Sequence, residues 1–103
     1  MNVELRLAQE FGAHLADGEA AARFRLTRIE PYVAISPRIT LDFTGVRSAN
    51  SSFMNALVAG LVEQHGEAAL ARFVFKGCNP MVRVLVEAAI DLGLQKIEGR
   101  IDA

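Results

Sequence analysis

RITLDFTGVRSANSSFMNALVAGLV, residues 38–62, changes its hydrophobic period halfway along. Ile39, Leu41 and Phe43 alternate with Thr40 and Asp42, the period-two pattern of a strand with one face in a core. After the turn TGV (44–46), Phe53, Met54, Leu57, Val58, Leu61 and Val62 recur at helical spacing as one broad apolar stripe. That stripe predicts a helix from about Ser52 to Gln64. At ~100° per residue the opposite face carries Ser52, Asn55, Ala56, Ala59 and Glu63, with Gly60 at its border. Exposed helix faces usually carry Lys, Glu and Arg, so a face this small and neutral has two readings. Either it lets another macromolecule's backbone come close, or it seats a neighbouring helix or loop of this same chain. Between strand and helix stand Asn50, Ser51 and Ser52, where the first N–H groups of a helix need acceptors. Capping accounts for all three, and a capping serine is also a reachable one.

Working outward toward the N-terminus, NVELRL (2–7) alternates Val3, Leu5 and Leu7 against Asn2, Glu4 and Arg6 and predicts a half-buried strand. Gly12 and ADG (16–18) mark a turn region. Asp17 then caps a helix expected from about Glu19 to Arg28, with Phe24 and Ile29 inward and Arg23, Arg25 and Arg28 on a solvated face. Pro31 should end it, because the residue before proline is pushed out of helical geometry.

Toward the C-terminus, Gly66 is a natural helix stop. RFVF (72–75) predicts a short apolar strand of the kind found in mid-sheet. Asn79 caps a third helix with Pro80 at its first position and Gly93 just past its end. Its stripe is Met81, Val82, Leu85, Val86 and Ala89, and Arg83 with Glu87 stands at ion-pair spacing. The tail LQKIEGRIDA (94–103) is either a last strand or frayed. Strand, helix, strand, helix, strand, helix is the order of an α/β domain with a mainly parallel sheet.

The bulk numbers bound the rest. A chain of 103 residues is one domain, residues 1–103, long enough to hold a core without staples. Net charge is −1 and the eleven Lys and Arg are scattered, which leaves no electrostatic footprint for nucleic acid or an anionic membrane. Hydrophobic residues make up 51 % and mean hydropathy is +0.24, yet no apolar run reaches the ~18 residues of a membrane span. Glu4 and Arg6 interrupt the N-terminus where a signal peptide would lie, and Cys78, the single cysteine, has no disulfide partner in the chain. The expected setting is cytoplasmic and reducing.

Chemistry-bearing residues are few. His14 and His65 have no carboxylate or cysteine at ligand spacing, so neither a metal nor a cofactor is expected. Cys78 follows an apolar strand with no histidine placed beside it, the position of a structural thiol. Asp42, near a strand end, reads as an internal hydrogen-bond acceptor. KGCNP (76–80) has one glycine and no basic pattern, so it is not a phosphate-cradling loop. With no nucleophile–base pair, an enzyme is not expected.

ITLDFTGVRSANSSFMNALVAGLVEQHG (39–66) resembles the central segment of STAS domains, the fold of bacterial anti-sigma factor antagonists. In that family a buried strand carrying Asp or Asn leads through a short loop to a D-S-S-G or D-S-T-G stretch that opens a helix. Without a gap, Asn50 falls on the family's Asp, Ser51 on its phosphoacceptor serine, Ser52 on the second serine and Phe53 on the glycine. RFVFKGCNPMVRVLVEAAIDLGLQK (72–96) resembles the following strand and Pro-headed helix, so the likeness runs from about residue 33 to 96. Asn50 and Phe53 depart from the motif. That Ser-Ser-Phe opening, the early EFG (10–12) and LDF-x-G-V are similar to a divergent branch of STAS-like domains of unknown function.

The resemblance implies a small STAS-like α/β domain: a mostly parallel, mixed sheet of about four strands with helices packed on it. It implies a non-enzymatic regulatory domain that binds another protein, an ATPase of the histidine-kinase-like, anti-sigma factor class, in signalling that regulates transcription. Ser51 is then the candidate phosphoacceptor, supported by Asn50, Ser52 and Asp42. The expected contact surface is Val46, Arg47, Phe53, Asn55, Ala56, Ala59, Gly60 and Glu63. Two alternatives stand beside it: a small-ligand, nucleotide-sensing STAS-like domain, and a homodimer that pairs the neutral helix face with itself.

Overall fold

The structure, a computed structural model, describes residues 2–101. Strand β1 (Asn2–Arg6) runs into a short helix α1 (Leu7–Phe11), a two-residue strand β2 (His14–Leu15) and helix α2 (Gly18–Phe24). A widened π turn (Arg25–Ile29) carries α2 on into α3 (Glu30–Val33). Strand β3 (Arg38–Asp42) and two-residue β4 (Ser48–Ala49) lead to α4 (Ser51–Met54), which continues through a second π turn (Asn55–Ala59) into α5 (Gly60–His65). A 3-10 turn (Glu67–Arg72), strand β5 (Phe73–Lys76) and α6 (Pro80–Ile101) complete the chain.

The main sheet has the order β1-β3-β5, all parallel, and β2 pairs with β4, also in parallel, as a separate ribbon. The expected α/β architecture with a parallel sheet is therefore present. It has three strands in one sheet and two in another, and each of these pairings is parallel, where one mostly parallel, mixed sheet of about four strands was expected. RFVF is not mid-sheet: β5 is an edge and β3 is the centre.

The strand order steps one way across the sheet. Right-handed crossovers that always step in the same direction deliver their helices to one face. Register fixes which residues meet them: Val3↔Ile39↔Phe73 and Leu5↔Leu41↔Phe75 point to the helices, and Leu5, Ile39, Leu41 and Phe73 are buried. The rows between, Glu4↔Thr40↔Val74 and Arg6↔Asp42↔Lys76, form the face turned from the helices, polar except for Val74 and open except at buried Asp42. Covered parallel sheets read as continuous apolar runs. The alternation in NVELRL and RITLDF marks a sheet covered once.

The core lies between that sheet and the helices, with Phe43, Phe53, Leu57, Ile29 and Met54 fully buried. Phe11 packs edge-on against both Phe24 (5.2 Å) and Phe53 (5.1 Å), which ties α1, α2 and α4 together.

Pro31 does not end the first long helix. In the π turn the Glu30 N–H donates to the Arg25 carbonyl, five residues back. The wider turn gives the proline ring room and places the residue that lacks an N–H where the bonding register already slips. Gly93 does not end α6 either. It sits buried inside the helix where a Cβ would come within 2.7 Å of Val62 Cβ and 3.0 Å of the Ala59 carbonyl oxygen. Its role is close approach of α6 to the helix at 51–65, and the tail from Leu94 to Ile101 is helical, not a strand. Arg83 and Glu87 make no ion pair within 4 Å among the described residues.

Candidate functional site

Two short strands aim two helix starts at the same place. β2 and β4 run side by side, His14 beside Ser48 and Leu15 beside Ala49, and each feeds a helix one or two residues later. At the first start Asp17 Oδ1 accepts from the Glu19 and Ala20 N–H groups at 3.0 and 3.2 Å. At the second, Asn50 Oδ1 accepts from the Phe53 N–H at 2.8 Å, while its amide Nδ2 donates to the Ala16 carbonyl at 3.0 Å. The Asn50 N–H donates to the Leu15 carbonyl at 2.9 Å. Asn50 thus caps one helix and ties it to the loop that opens the other. The expected caps at Asp17, Asn50 and Asn79 are present, but of the three residues expected to cap the 51–65 helix only Asn50 does so; Ser51 and Ser52 are its first two helical residues.

The two starts almost touch. A Cβ on Gly18 would stand 2.5 Å from Ser52 Oγ and 3.1 Å from the Ser52 carbonyl oxygen, so a larger residue there would make the serine hydroxyl turn aside. Ser51 and Ser52 nonetheless remain exposed, together with Asn50, Arg47, Ala16 and Asp17. Ser51 and Ser52 supply the first N–H groups of a helix that runs unbroken from 51 to 65, ahead of its first intrahelical bond. The two neighbouring helix starts therefore put the positive ends of two peptide dipoles near two reachable hydroxyls.

The loop into this start is held from below. Arg47 N–H donates to the Ala13 carbonyl at 2.7 Å, and Asn79 Nδ2 reaches the Val46 and Arg47 carbonyls at 3.3 and 3.1 Å. The same Asn79 caps α6 through the Val82 N–H at 2.8 Å. One asparagine side chain thus fixes the start of α6 to the loop that carries Arg47.

The expected contact surface changes shape. Val46 and Phe53 are buried in the core. Ala59 is 1 % exposed, pressed against α6 at Gly93. Gly60 lies under the side chain of Arg25, and Asn55 and Ala56 are half-buried. Glu63 is half-buried, 3.8 Å from Lys96 Nζ of α6. The neutral face of the 51–65 helix is thus the seat of α2 and α6 of its own chain, and what stays open is its start.

The cause is local. In the second π turn the Gly60 N–H bonds to the Asn55 and Leu57 carbonyls and skips Ala56. The freed Ala56 carbonyl accepts from Arg25 Nε at 3.0 Å, and Arg25 Nη1 donates to Glu30 Oε2 at 3.0 Å. His65 Nε2 meets the other Glu30 oxygen at 2.5 Å. Arg25 therefore leaves the solvated face expected for it. Arg28 is exposed as expected, but it pairs with Glu10 and lies over the Phe24 ring.

Asp42 is not brought to Ser51. It points to the open face of the sheet, whereas the 51–65 helix packs on the other. Its Oδ1 accepts from the Thr44 N–H at 2.9 Å. Hydrogen bonds from the Thr44 hydroxyl and N–H hold its carboxyl below the ordinary value of 3.8; burial opposes them, and Lys76 and Arg6 assist. Cys78 is half-buried against the β5–α6 cleft, where burial pushes its thiol up. Among the described residues no three His, Cys, Asp or Glu side chains group as a metal site, and no helix is long and apolar enough to cross a membrane.

Residues 20–83 match the model of a family described as a STAS-like domain of unknown function. No curated protein and no solved structure matches the chain.

Proposed function

The chain belongs to the family of STAS-like domains, and from that premise we propose that it is a regulatory domain that works by binding another protein. The contact surface is the rim formed by Ala16, Asp17, Arg47 and Asn50–Ser52. The observation that carries the proposal is the exposure of Ser51 and Ser52 at a helix start whose flanks are otherwise filled by α2 and α6. The partner class is a histidine-kinase-like ATPase of the anti-sigma factor type, which the likeness of residues 39–66 to anti-sigma factor antagonists supports.

Ser51 is the switch. A phosphate there meets free N–H groups and two helix dipoles, so its own helix favours it. It adds about two negative charges to a rim whose only acidic neighbour is Asp17 among the residues named, enough to expel a partner seated on it. The surface offers hydrogen-bonding groups and one guanidinium, with the aromatic Phe53 buried. A nucleotide base thus finds no exposed ring of Phe53 to stack on, which favours a protein partner over a nucleotide.

The test is titration of the purified chain into the histidine-kinase-like ATPase encoded nearest its gene. Saturable binding that Arg47→Glu weakens about tenfold or more, and that Gln95→Glu on the far end of α6 leaves unchanged, is the expected result. Absence of binding, or equal loss in both variants, contradicts the reading.

A further inference from the structure

The open face of the sheet ends in a cleft of about 460 Å³ at the carboxyl ends of all three strands. Arg6, Asp42 and Lys76, one from each strand, stand in a single register row along it, with Gln9 and Thr44 completing the wall. Ligands of open α/β sheets bind beyond the carboxyl ends of the strands, and the volume lies in the range of small-molecule sites.

The two cations already share one carboxylate. Glu4 reaches across Thr40 so that its Oε1 is 3.7 Å from Arg6 Nε and its Oε2 is 3.7 Å from Lys76 Nζ. Both separations are too long for hydrogen bonds, and the side chains of Arg6 and Lys76 are 66 % and 55 % exposed. Exposed pairs of this kind are weak and open to displacement. Below them lies Asp42, 7 % exposed and satisfied on one side by Thr44. An ionised carboxylate has about four acceptor positions, so Asp42 has some to spare for a donor in the cleft.

We propose that this cleft binds a small anion, a carboxylate or phosphate monoester that also bears a hydroxyl, with the anionic group between Arg6 and Lys76, the hydroxyl on Asp42, and Glu4 as the internal competitor for the anion position. The cleft lies on the sheet face away from the 51–65 helix, so the proposal does not rest on the protein-binding reading. The loop 44–50 joins the two: its first residue lines the cleft and its last caps the helix that carries Ser51.

Glu4 gives the proposal a signature that a purely structural salt bridge lacks. Removing its charge takes away the carboxylate that bridges the outer ends of both cations, the competitor for the anion, so Glu4→Gln tightens anion binding about threefold. Arg6→Gln/Lys76→Gln weakens it about tenfold or more. The experiment is an NMR titration of the whole chain with glycerol 3-phosphate and, separately, ethyl phosphate, read at the amides of Thr44, Gly45 and Gly77. Expected are saturable shifts at millimolar ligand, tighter binding of glycerol 3-phosphate, and the two opposite variant effects. All substituted side chains are exposed, and the fold of each variant is checked by its spectrum. Shifts that do not saturate, binding indifferent to the double variant, or unchanged or weaker binding by Glu4→Gln overturns the proposal. Equal affinity for the two phosphates overturns the Asp42 contact.

Discussion

Arg25 lies across Gly60 and donates through Nε to the Ala56 carbonyl at 3.0 Å, closing the small face of the 51–65 helix with a side chain from the same molecule. A carbonyl freed by a π turn, a glycine without a Cβ and a guanidinium 31 residues away in sequence make one joint. This joint and the seat of α6 at Gly93, not the apolar stripe, decide how much of that helix another molecule can reach.

Arg25→Ala leaves the Ala56 carbonyl and the Glu30 carboxylate short of a donor, and should cost about 1–3 kcal/mol in urea unfolding. Arg25→Lys should recover little of it, because one ammonium cannot serve both partners with the guanidinium's fixed fork. A loss below about 0.5 kcal/mol, the usual scatter of surface changes, would remove the joint from the account.

Gly93 and Gly99 both lie in α6, where glycine ordinarily costs about 1 kcal/mol relative to alanine. They should respond in opposite directions. Gly99→Ala meets nothing within 4 Å and should stabilise by up to about 1 kcal/mol. Gly93→Ala drives a Cβ against Val62 and the Ala59 carbonyl and should destabilise by about 1–3 kcal/mol. The same sign for both in denaturation curves would mean that α6 does not approach α5 this closely.

Asp42 sets an acid limb. Its folded carboxyl titrates below the ordinary 3.8 because the Thr44 hydroxyl and N–H bond the ionised form. Its contribution is therefore complete above pH 3.8 and disappears as pH falls through the folded value. Asp42→Asn should lower stability by about 1 kcal/mol at pH 7 and flatten the loss below about pH 4. An unchanged acid limb in pH-dependent thermal melts would contradict this.

Much of the fold was legible because the pattern in it is local. The alternation of RITLDF, the stripe of 53–62, and the Asp17, Asn50 and Asn79 caps depend on neighbours within a few residues, and they stand as read. Gly93 and Pro31 were misread for one reason: each is a helix breaker in isolation and tolerable in context. A close helix contact occupies the space Gly93 leaves, and a π turn removes the clash Pro31 would make. Neither condition is written near them. The helix start at Asn50–Ser52 was legible as chemistry, but its surroundings were not. Nothing near Ala56 announces that its carbonyl escapes the ladder, nor that Arg25 turns inward to meet it. The alternation of NVELRL and RITLDF carries the fact of an open sheet face, but the strand order that sets β1, β3 and β5 side by side along it is not encoded in periodicity. So the cleft at Arg6, Asp42 and Lys76 had no signal along the chain beyond three polar residues, each near the end of a strand.

The most direct test of the central claim is the affinity of the histidine-kinase-like ATPase for this chain with Ser51→Asp compared with Ser51→Ala, by calorimetry at physiological salt. If the exposed helix start is the contact and Ser51 its switch, the alanine variant binds like the unaltered chain and the aspartate variant binds about tenfold or more weakly. Equal affinities for the two variants would contradict the account.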